Sequence, residues 1–288
     1  MLKLEHVIKH YPSFTLSCSL NLRPGMISGI VGLNGAGKTT LFKAILALIS
    51  IDEGKITLFN QNHCALKSGD KENIGVVIAD SFLSEYLTIN DYIPMLKAMY
   101  KQFDENFFLK QIHTFNLSLD QKIKDMSTGM RAKLKVVVAL SHQAQLIILD
   151  EPTSGLDVVA RQQILDLLRD YMAEDEMRSI LISSHISSDL ESICDDLYMM
   201  DDGQIVLHED CDVLLSNYGL LKLNDEQFEQ CDSEYFLKVI KESYGYCILT
   251  NQKQYYVDNY PSIVIENSSI DEIIMMMLRG NDNERSID

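Results

Sequence analysis

The stretch GIVGLNGAGKTTLF, residues 29–42, joins a short apolar run to a glycine cluster that ends in one lysine and two threonines. Residues 32–39 within it fit the pattern G-x-x-x-x-G-K-S/T in full. The preceding residues, MISGIV (26–31), are typical of a buried strand, and the following ones, TTLFKAILALI (39–49), predict an apolar helix. A strand, a glycine loop and a helix in this order predict an α/β fold.

The loop has the composition of a phosphate site. Glycines let the backbone curl until successive N–H groups point at one anion, and a helix that opens at Lys38 adds its N-terminal dipole. Lys38 is expected to reach the β- and γ-phosphates of a nucleoside triphosphate, and the Thr39 hydroxyl to ligate Mg²⁺. A chance glycine turn is disfavoured, because the pattern is complete and lies between a strand and a helix. The loop residues predicted to bind ATP are Asn34, Gly35, Ala36, Gly37, Lys38, Thr39 and Thr40.

A second motif, QLIILDEPTSGLD, covers residues 145–157. Its apolar run is typical of a buried parallel strand, and the run ends in Asp150 and Glu151. Asp150 suits Mg²⁺, while Glu151 is placed to accept a proton from an attacking water. Two acids before Pro152 also fit the start of a helix, so this motif alone leaves both interpretations open. The phosphate loop in the same chain favours the catalytic one.

A third apolar run, SILISSH (179–185), ends in His185. A lone histidine is usually an ordinary surface or packed residue. This one follows a predicted strand, at the edge where doubly wound sheets bind ligands. We therefore expect His185 to contact the γ-phosphate.

Composition narrows the possible partners. The 288 residues carry a net charge of −17, which disfavours nucleic acid as a partner because phosphate neutralisation needs a basic face. No stretch reaches the roughly 18 uncharged apolar residues of a membrane helix, so a membrane function would require a second polypeptide. The six cysteines have neither Cys-x-x-Cys nor zinc-site spacing, and we expect reduced, mostly packed thiols.

Taken together, the phosphate loop, MSTGMRAKLKVVVALSHQAQLIILDEPTSGLD (126–157) and SSH (183–185) resemble the nucleotide-binding subunit of ATP-binding cassette (ABC) transporters. The resemblance covers about residues 1–217 and is greatest to single-cassette subunits of ABC-2-type bacterial exporters, including systems for peptide export or peptide-antibiotic self-protection. It implies a P-loop NTPase domain with a mostly parallel sheet, an antiparallel edge region and a helical subdomain at about 80–141. It also implies Mg²⁺-dependent ATP hydrolysis that powers a separate integral membrane permease, at the cytoplasmic face of the membrane.

The resemblance assigns further residues to the site. Ser127, Gly129 and Met130 occupy the signature position, which faces the γ-phosphate held by a partner subunit. Each ATP would then be sandwiched in a homodimer, or in a dimer with a paralogous cassette. Asp157 matches the loop that crosses the dimer seam. Tyr11 matches the aromatic residue that stacks on adenine, although a packing role fits it as well.

The chain departs from the family pattern in two places. The usual signature, Leu-Ser-Gly-Gly-Gln, has Thr128 and Met130 in place of a glycine and the glutamine, so we expect activity at a reduced rate. The glutamine that the family carries near residues 79–80 is missing. Our hypothesis is that Asp80 replaces it as a Mg²⁺ ligand.

Residues 218–288 predict a small α+β domain. Strands are expected in YGYCILT (244–250), QYYVD (254–258) and SIVIENS (262–268), and a helix in SIDEIIMMMLRG, from Ser269 to a stop at Gly280. The segment has 6 basic and 13 acidic residues, which argues against an anchor for lipid headgroups. The helix is apolar almost all round, and either burial within the domain or a dimer contact explains that composition.

Three further functions compete with peptide export. One is action of a soluble ABC ATPase on nucleic acid or ribosomes, which the net charge and the absence of a heptad insertion disfavour. Another is a regulatory nucleotide-binding module without turnover, motivated by the missing glutamine. The third is export of a lipid or drug, because substrate contacts in this architecture lie in the permease.

Overall fold

The computed structural model describes residues 1–78 and 84–281. The chain divides into two units, Met1–Leu207 and His208–Asp288. This division comes before the boundary at residue 217 that the sequence predicts. It assigns the helix Cys211–Asn217 to the second unit.

The first unit is built on a mixed sheet. In the part of the chain that the structure describes, the sheet has ten strands: β1 (Leu2–Tyr11), β2 (Phe14–Leu22), β3 (Ile27–Val31), β4 (Glu53–Leu58), β5 (Gln61–Asn62), β6 (Ile74–Val77), β7 (Leu146–Asp150), β8 (Ser179–Ser183), β9 (Asp196–Asp201) and β10 (Gln204–Asp210). Their order is β5-β4-β1-β2-β10-β9-β3-β8-β7-β6.

The parallel half of the sheet determines where the motifs meet. Strands β6, β7, β8, β3 and β9 are parallel neighbours, and every residue of β3, β7 and β8 is buried. Such burial on both faces explains the continuous apolar runs in the sequence. Because the strands are parallel, their carboxyl ends lie at one edge of the sheet. The polar residues that follow the apolar run of each motif therefore lie at this edge. Strands β1, β2 and β4 form the predicted antiparallel region.

Helices cover this sheet. They are α1 (Lys38–Ile45), α2 (Ser68–Lys71), α3 (Ile89–Met99), α4 (Glu105–Thr114), α5 (Thr128–Leu140), α6 (Val158–Ala173) and α7 (Ser187–Ile193). Three of them, α3, α4 and α5, lie in the helical region predicted near residues 80–141. Helix α1 starts at Lys38 as predicted, and it buries Leu41, Phe42 and Ile45 completely. None of the helices in the described ranges is long and apolar enough to cross a membrane.

The second unit is an antiparallel sheet with helices. Its elements are α8 (Cys211–Asn217), β11 (Gly219–Leu223), α9 (Asp225–Gln230), β12 (Phe236–Glu242), β13 (Gly245–Thr250), α10 (Lys253–Asn259), β14 (Val264–Asn267) and α11 (Ile270–Arg279). The strand order is β12-β13-β11-β14.

The predicted strand QYYVD was wrong, because these residues lie in helix α10. Tyr256 is fully buried there, with its ring centroid 5.8 Å from that of Phe236 and its hydroxyl donating to the Asp232 carbonyl at 2.9 Å. The β preference of two adjacent tyrosines is weak compared with the burial of an aromatic ring. Packing in this unit therefore decided the conformation.

The predicted terminal helix is confirmed as α11. Ser269 caps it by accepting from the Glu272 N–H at 3.3 Å, and the helix ends before Gly280. The helix is not buried all round: Ile273 and Met276 are buried, whereas Met275 is 49% exposed. A dimer contact through this helix stays a prediction.

Candidate active site

The glycine loop curls tightly over the end of β3. Gly37 caps α1 with φ at 110°, and a Cβ there would lie only 2.7 Å from Cζ of Phe14. A Cβ on Gly32 would collide with the Met200 carbonyl oxygen. Only glycine fits these two positions, one because of its left-handed backbone and the other because of close contact. The path of the loop therefore requires glycine at positions 32 and 37 of the motif.

Lys38 lies beneath this loop with only 7% of its side chain exposed. Its Nζ donates to the carbonyls of Gly32 at 2.7 Å and Leu33 at 3.3 Å, and it lies 3.7 Å from Oε1 of Glu151. The loop's own carbonyls thus hold the ammonium group in place. The result is a fixed positive charge next to the N-terminus of α1, which suits a polyphosphate.

A chain of hydroxyls fixes the buried acid at the end of β7. The Thr39 hydroxyl donates to Oδ2 of Asp150 at 2.6 Å, and the Ser183 hydroxyl donates to Oδ1 at 2.7 Å. Asp150 is 7% exposed. A hydroxyl and a carboxylate side by side are the hard oxygen ligands that Mg²⁺ prefers, so the residues present fit this ion. The described residues contain no group of three or more His, Cys, Asp or Glu that could hold a metal.

Glu151 adopts a backbone conformation that is rare outside glycine, with φ at 52°. Its N–H donates to the hydroxyl of Ser183 at 3.1 Å and to its carbonyl at 3.2 Å. Its Oε2 lies 2.5 Å from Nδ1 of His185. The next helix begins only at Val158, so the alternative in which these acids start a helix is wrong.

These groups surround a cavity of about 200 Å³. Its lining consists of Asn34, Gly35, Gly37, Lys38, Thr39, Thr40, Asp150 and Glu151. All but one of the loop residues predicted from the sequence are in this lining. The exception is Ala36, whose side chain is buried and whose N–H donates to the Leu33 carbonyl at 3.1 Å. The arrangement can hold a chain of phosphates between a cation and two carboxylates.

Tyr11 ends β1 and is 39% exposed. Its ring centroid is 6.2 Å from that of Phe14, the residue whose ring lies against Gly37. The tyrosine is therefore connected to the phosphate loop through one aromatic contact. A partly exposed ring at this place can stack on a planar base.

The signature residues and Asp157 do not line the cavity of their own chain. Ser127 caps α5, accepting from the Met130 N–H at 3.2 Å, and Asp157 caps α6, accepting from the Ala160 N–H at 2.8 Å. A Cβ on Gly129 would lie 3.4 Å from Cδ2 of Leu156, so the two caps belong to neighbouring segments. Asp80 lies outside the described residues.

Four polar residues at or beside the site were not anticipated from the sequence. They are Ser183, Thr153, Arg161 and Asp189. Buried Asp189 accepts from the Thr153 hydroxyl at 2.7 Å and lies 3.7 Å from Nη1 of Arg161. A serine that ends an otherwise apolar strand, as in LISS, was the available signal for Ser183.

Comparisons with known proteins identify the family of this chain. The family model for ABC transporters matches residues 16–154. The chain is 32% identical over 201 residues to the ABC transporter ATP-binding protein YtrB of Bacillus subtilis, covering 69% of this chain and 68% of YtrB. It is 30% identical to the lantibiotic transport ATP-binding protein SrtF of Streptococcus pyogenes, covering 74% of this chain and 92% of SrtF.

A third relative also aligns with the second unit. The bacitracin transport ATP-binding protein BcrA of Enterococcus faecalis is 27% identical, covering 100% of this chain and 94% of BcrA. Among solved structures, a dimeric ATP-binding cassette in a post-hydrolysis state with ADP and Pi shares the fold, with a TM-score of 0.65 at 22% identity over 73% of this chain and 99% of that one. This chain belongs to the ATP-binding subunits of ABC transporters, and it is an ATPase of that family.

Proposed function

We propose that this ATPase powers the export of a peptide, such as a peptide antibiotic, through a separate integral membrane permease. The observation that carries the proposal is the convergence of Lys38, Asp150, Glu151 and His185 at one sheet edge. Relatives named for lantibiotic and bacitracin transport support the substrate class. Export of a lipid or drug is the alternative substrate assignment.

The site residues have distinct roles in this proposal. Lys38 neutralises charge on the β- and γ-phosphates, and Glu151 accepts the proton of the attacking water. His185 orients the Glu151 carboxylate and reaches the γ-phosphate. Thr39 and Asp150 hold Mg²⁺, with Asp80 as a proposed additional ligand. The bound ion supplies a positive charge that polarises phosphate oxygens.

A second copy of the chain completes each site. Ser127, Gly129, Met130 and Asp157 do not line the cavity of their own chain, so their proposed contact with ATP requires a partner. Large apolar side chains are exposed nearby in the chain: Leu33 of the phosphate loop is 59% exposed, and Val158 and Val159, which follow Asp157 at the start of α6, are 74% and 69% exposed. Apolar surface of this kind favours burial in a dimer interface. A paralogous cassette can take the place of the second copy.

The permease is the proposed membrane partner. Two apolar cavities of about 280 and 320 Å³ share Val76, Tyr100 and Val138 in their walls. They border the helical region near residues 80–141, whose surface, by the resemblance to the family, would receive a coupling helix of the permease. An amphipathic helix from the permease is their proposed occupant, which localises the chain to the cytoplasmic face of the membrane. The net charge of −17 disfavours nucleic acid as a partner.

Phosphate release by the purified chain, alone and with its co-purified permease, tests the proposal. A bacterium that is sensitive to peptide antibiotics and expresses both subunits should become resistant. A Lys38→Ala variant produced with the same permease is the control and should leave the cells sensitive. Stable ATP binding without turnover, even with the permease, would instead support a regulatory module, the alternative motivated by the missing glutamine.

Tyr11 provides a prediction about base recognition. Replacing it with alanine removes an aromatic surface worth about 1–3 kcal/mol per stacked base, so the Kd for ATP should rise about 5- to 150-fold. Fluorescence titration with a labelled ATP analogue measures this change. The Tyr11→Phe variant keeps the ring and should bind like the wild type. Equal loss in both variants would contradict stacking.

A further inference from the structure

Ser183 is the last residue of β8 and is completely buried. Its register partner on the adjacent strand β7 is Asp150. The hydroxyl donates to Oδ1 of Asp150 at 2.7 Å and accepts from the N–H of Glu151 at 3.1 Å. One hydroxyl therefore contacts both acidic residues of the site: the side-chain carboxylate of Asp150 and the backbone N–H of Glu151.

The first contact orients the Asp150 carboxylate. With Oδ1 bound to Ser183, Oδ2 is the oxygen that lies beside Thr39, at 2.6 Å. A serine hydroxyl has a single proton, and this geometry gives that proton to Asp150. Without it, a carboxylate oxygen in a residue that is 7% exposed would lose its donor, which favours rotation of the group.

The second contact holds the backbone of Glu151. A non-glycine residue at φ 52° is strained by an amount on the order of 1–3 kcal/mol and persists only where neighbours over-determine it. The hydroxyl and carbonyl of Ser183 are both acceptors for the Glu151 N–H. The same strand end leads to His185, whose N–H donates to Oε2 of Glu151 at 3.2 Å.

We propose that Ser183 is a positioning residue that aligns the Mg²⁺-side acid, Asp150, with the water-activating acid, Glu151. The inference rests on the roles proposed above for these two acids. Ser183 itself is buried behind them and acts through their side chain and backbone. Its loss should therefore impair two properties at once: the response of nucleotide binding to Mg²⁺ and the rate of phosphate release.

The decisive comparison is between Ser183→Ala and Ser184→Ala. Ser184 is equally buried, but among the described residues its hydroxyl accepts from the Ile186 N–H at 3.0 Å and contacts neither acid. Binding of ATP by the full chain is titrated in EDTA and in saturating Mg²⁺, and kcat and KM for phosphate release are measured in parallel. Binding in EDTA also reports whether each variant is folded.

We expect Ser183→Ala to bind ATP normally in EDTA and to lose about 10- to 100-fold in the affinity gained from Mg²⁺, as is usual for residues that orient metal ligands. Its kcat should fall by a similar factor, and its KM for ATP in saturating Mg²⁺ should rise in step with the weaker binding. Ser183→Thr keeps the hydroxyl and should restore both, while Ser184→Ala should match the wild type. If the alanine variant does not fold, Ser183→Cys, with a similar volume and a weaker donor, takes its place.

Two results would overturn the inference. One is a Ser183→Ala protein whose Mg²⁺ response equals that of the wild type. The other is an equal loss in Ser184→Ala, which would indicate general damage to the strand end. Failure of the proposed function has a different signature: the wild type would then release no phosphate, while the binding titrations would still report on Ser183.

Discussion

Replacing Glu151 with glutamine should slow phosphate release about 10²- to 10⁴-fold while ATP stays bound. Glutamine keeps the size of the side chain but lacks a basic oxygen to accept a proton. The carboxylate lies between Nζ of Lys38 at 3.7 Å and Nδ1 of His185 at 2.5 Å, so its charge is held in place on both sides. Single-turnover phosphate release and size-exclusion chromatography with ATP measure the two expected effects, slow hydrolysis and an accumulated dimer.

Glu174→Gln is a matched control for this variant. Glu174 pairs with Arg178 at 2.8 Å, and its side chain is 53% exposed at the end of α6. Removing that charge should leave the rate unchanged within about twofold, because Glu174 does not line the cavity. A Glu151→Gln protein that retains more than about a tenth of wild-type turnover would exclude Glu151 as the general base.

Replacing Asp189 with alanine should destabilise the first unit by about 1–3 kcal/mol, because a buried hydrogen bond loses its acceptor. The carboxylate is 3% exposed, accepts from the Thr153 hydroxyl at 2.7 Å and lies 3.7 Å from Nη1 of Arg161. Nε of Arg161 is buried and has no hydrogen-bond partner among the described residues. Without Asp189, the Thr153 hydroxyl loses its buried acceptor, and Arg161, whose side chain is 26% exposed, loses its counter-charge. Urea unfolding followed by circular dichroism measures the change, and hydrogen exchange assigns it to the first unit.

Asp166→Ala serves as the control for charge removal. Asp166 pairs with Arg169 at 2.6 Å on the surface of α6, where the two side chains are 56% and 38% exposed. This variant should change stability by no more than about 0.5 kcal/mol. If Asp189→Ala likewise cost no more than about 0.5 kcal/mol, the contacts of the buried Asp189 would not be a source of stability.

Helices and strands whose signals lie in residues adjacent in the sequence were predicted correctly. The start of α1 at Lys38 follows from a glycine cap, and the starts of α5 and α11 follow from Ser127 and Ser269, whose hydroxyls bond within one turn. The buried strands β3, β7 and β8 follow from apolar runs. By contrast, residues 254–258 were predicted as a strand. Their environment is an aromatic cluster assembled from distant segments, and no local pattern encodes that burial.

The amino-acid sequence alone determined the class of the site, because phosphate loops need particular residues at particular spacings along one segment. Only the tertiary structure decided how the segments combine. The pairing of β7 with β8 brings Ser183 opposite Asp150, and the turn after β7 sends Glu151 toward His185 instead of into a helix. The buried contact of Asp189 with Thr153 and Arg161 likewise joins residues from separate segments. Such contacts depend on strand register and helix packing. Both are determined by the free energy of packing all core residues together, and no single segment encodes it.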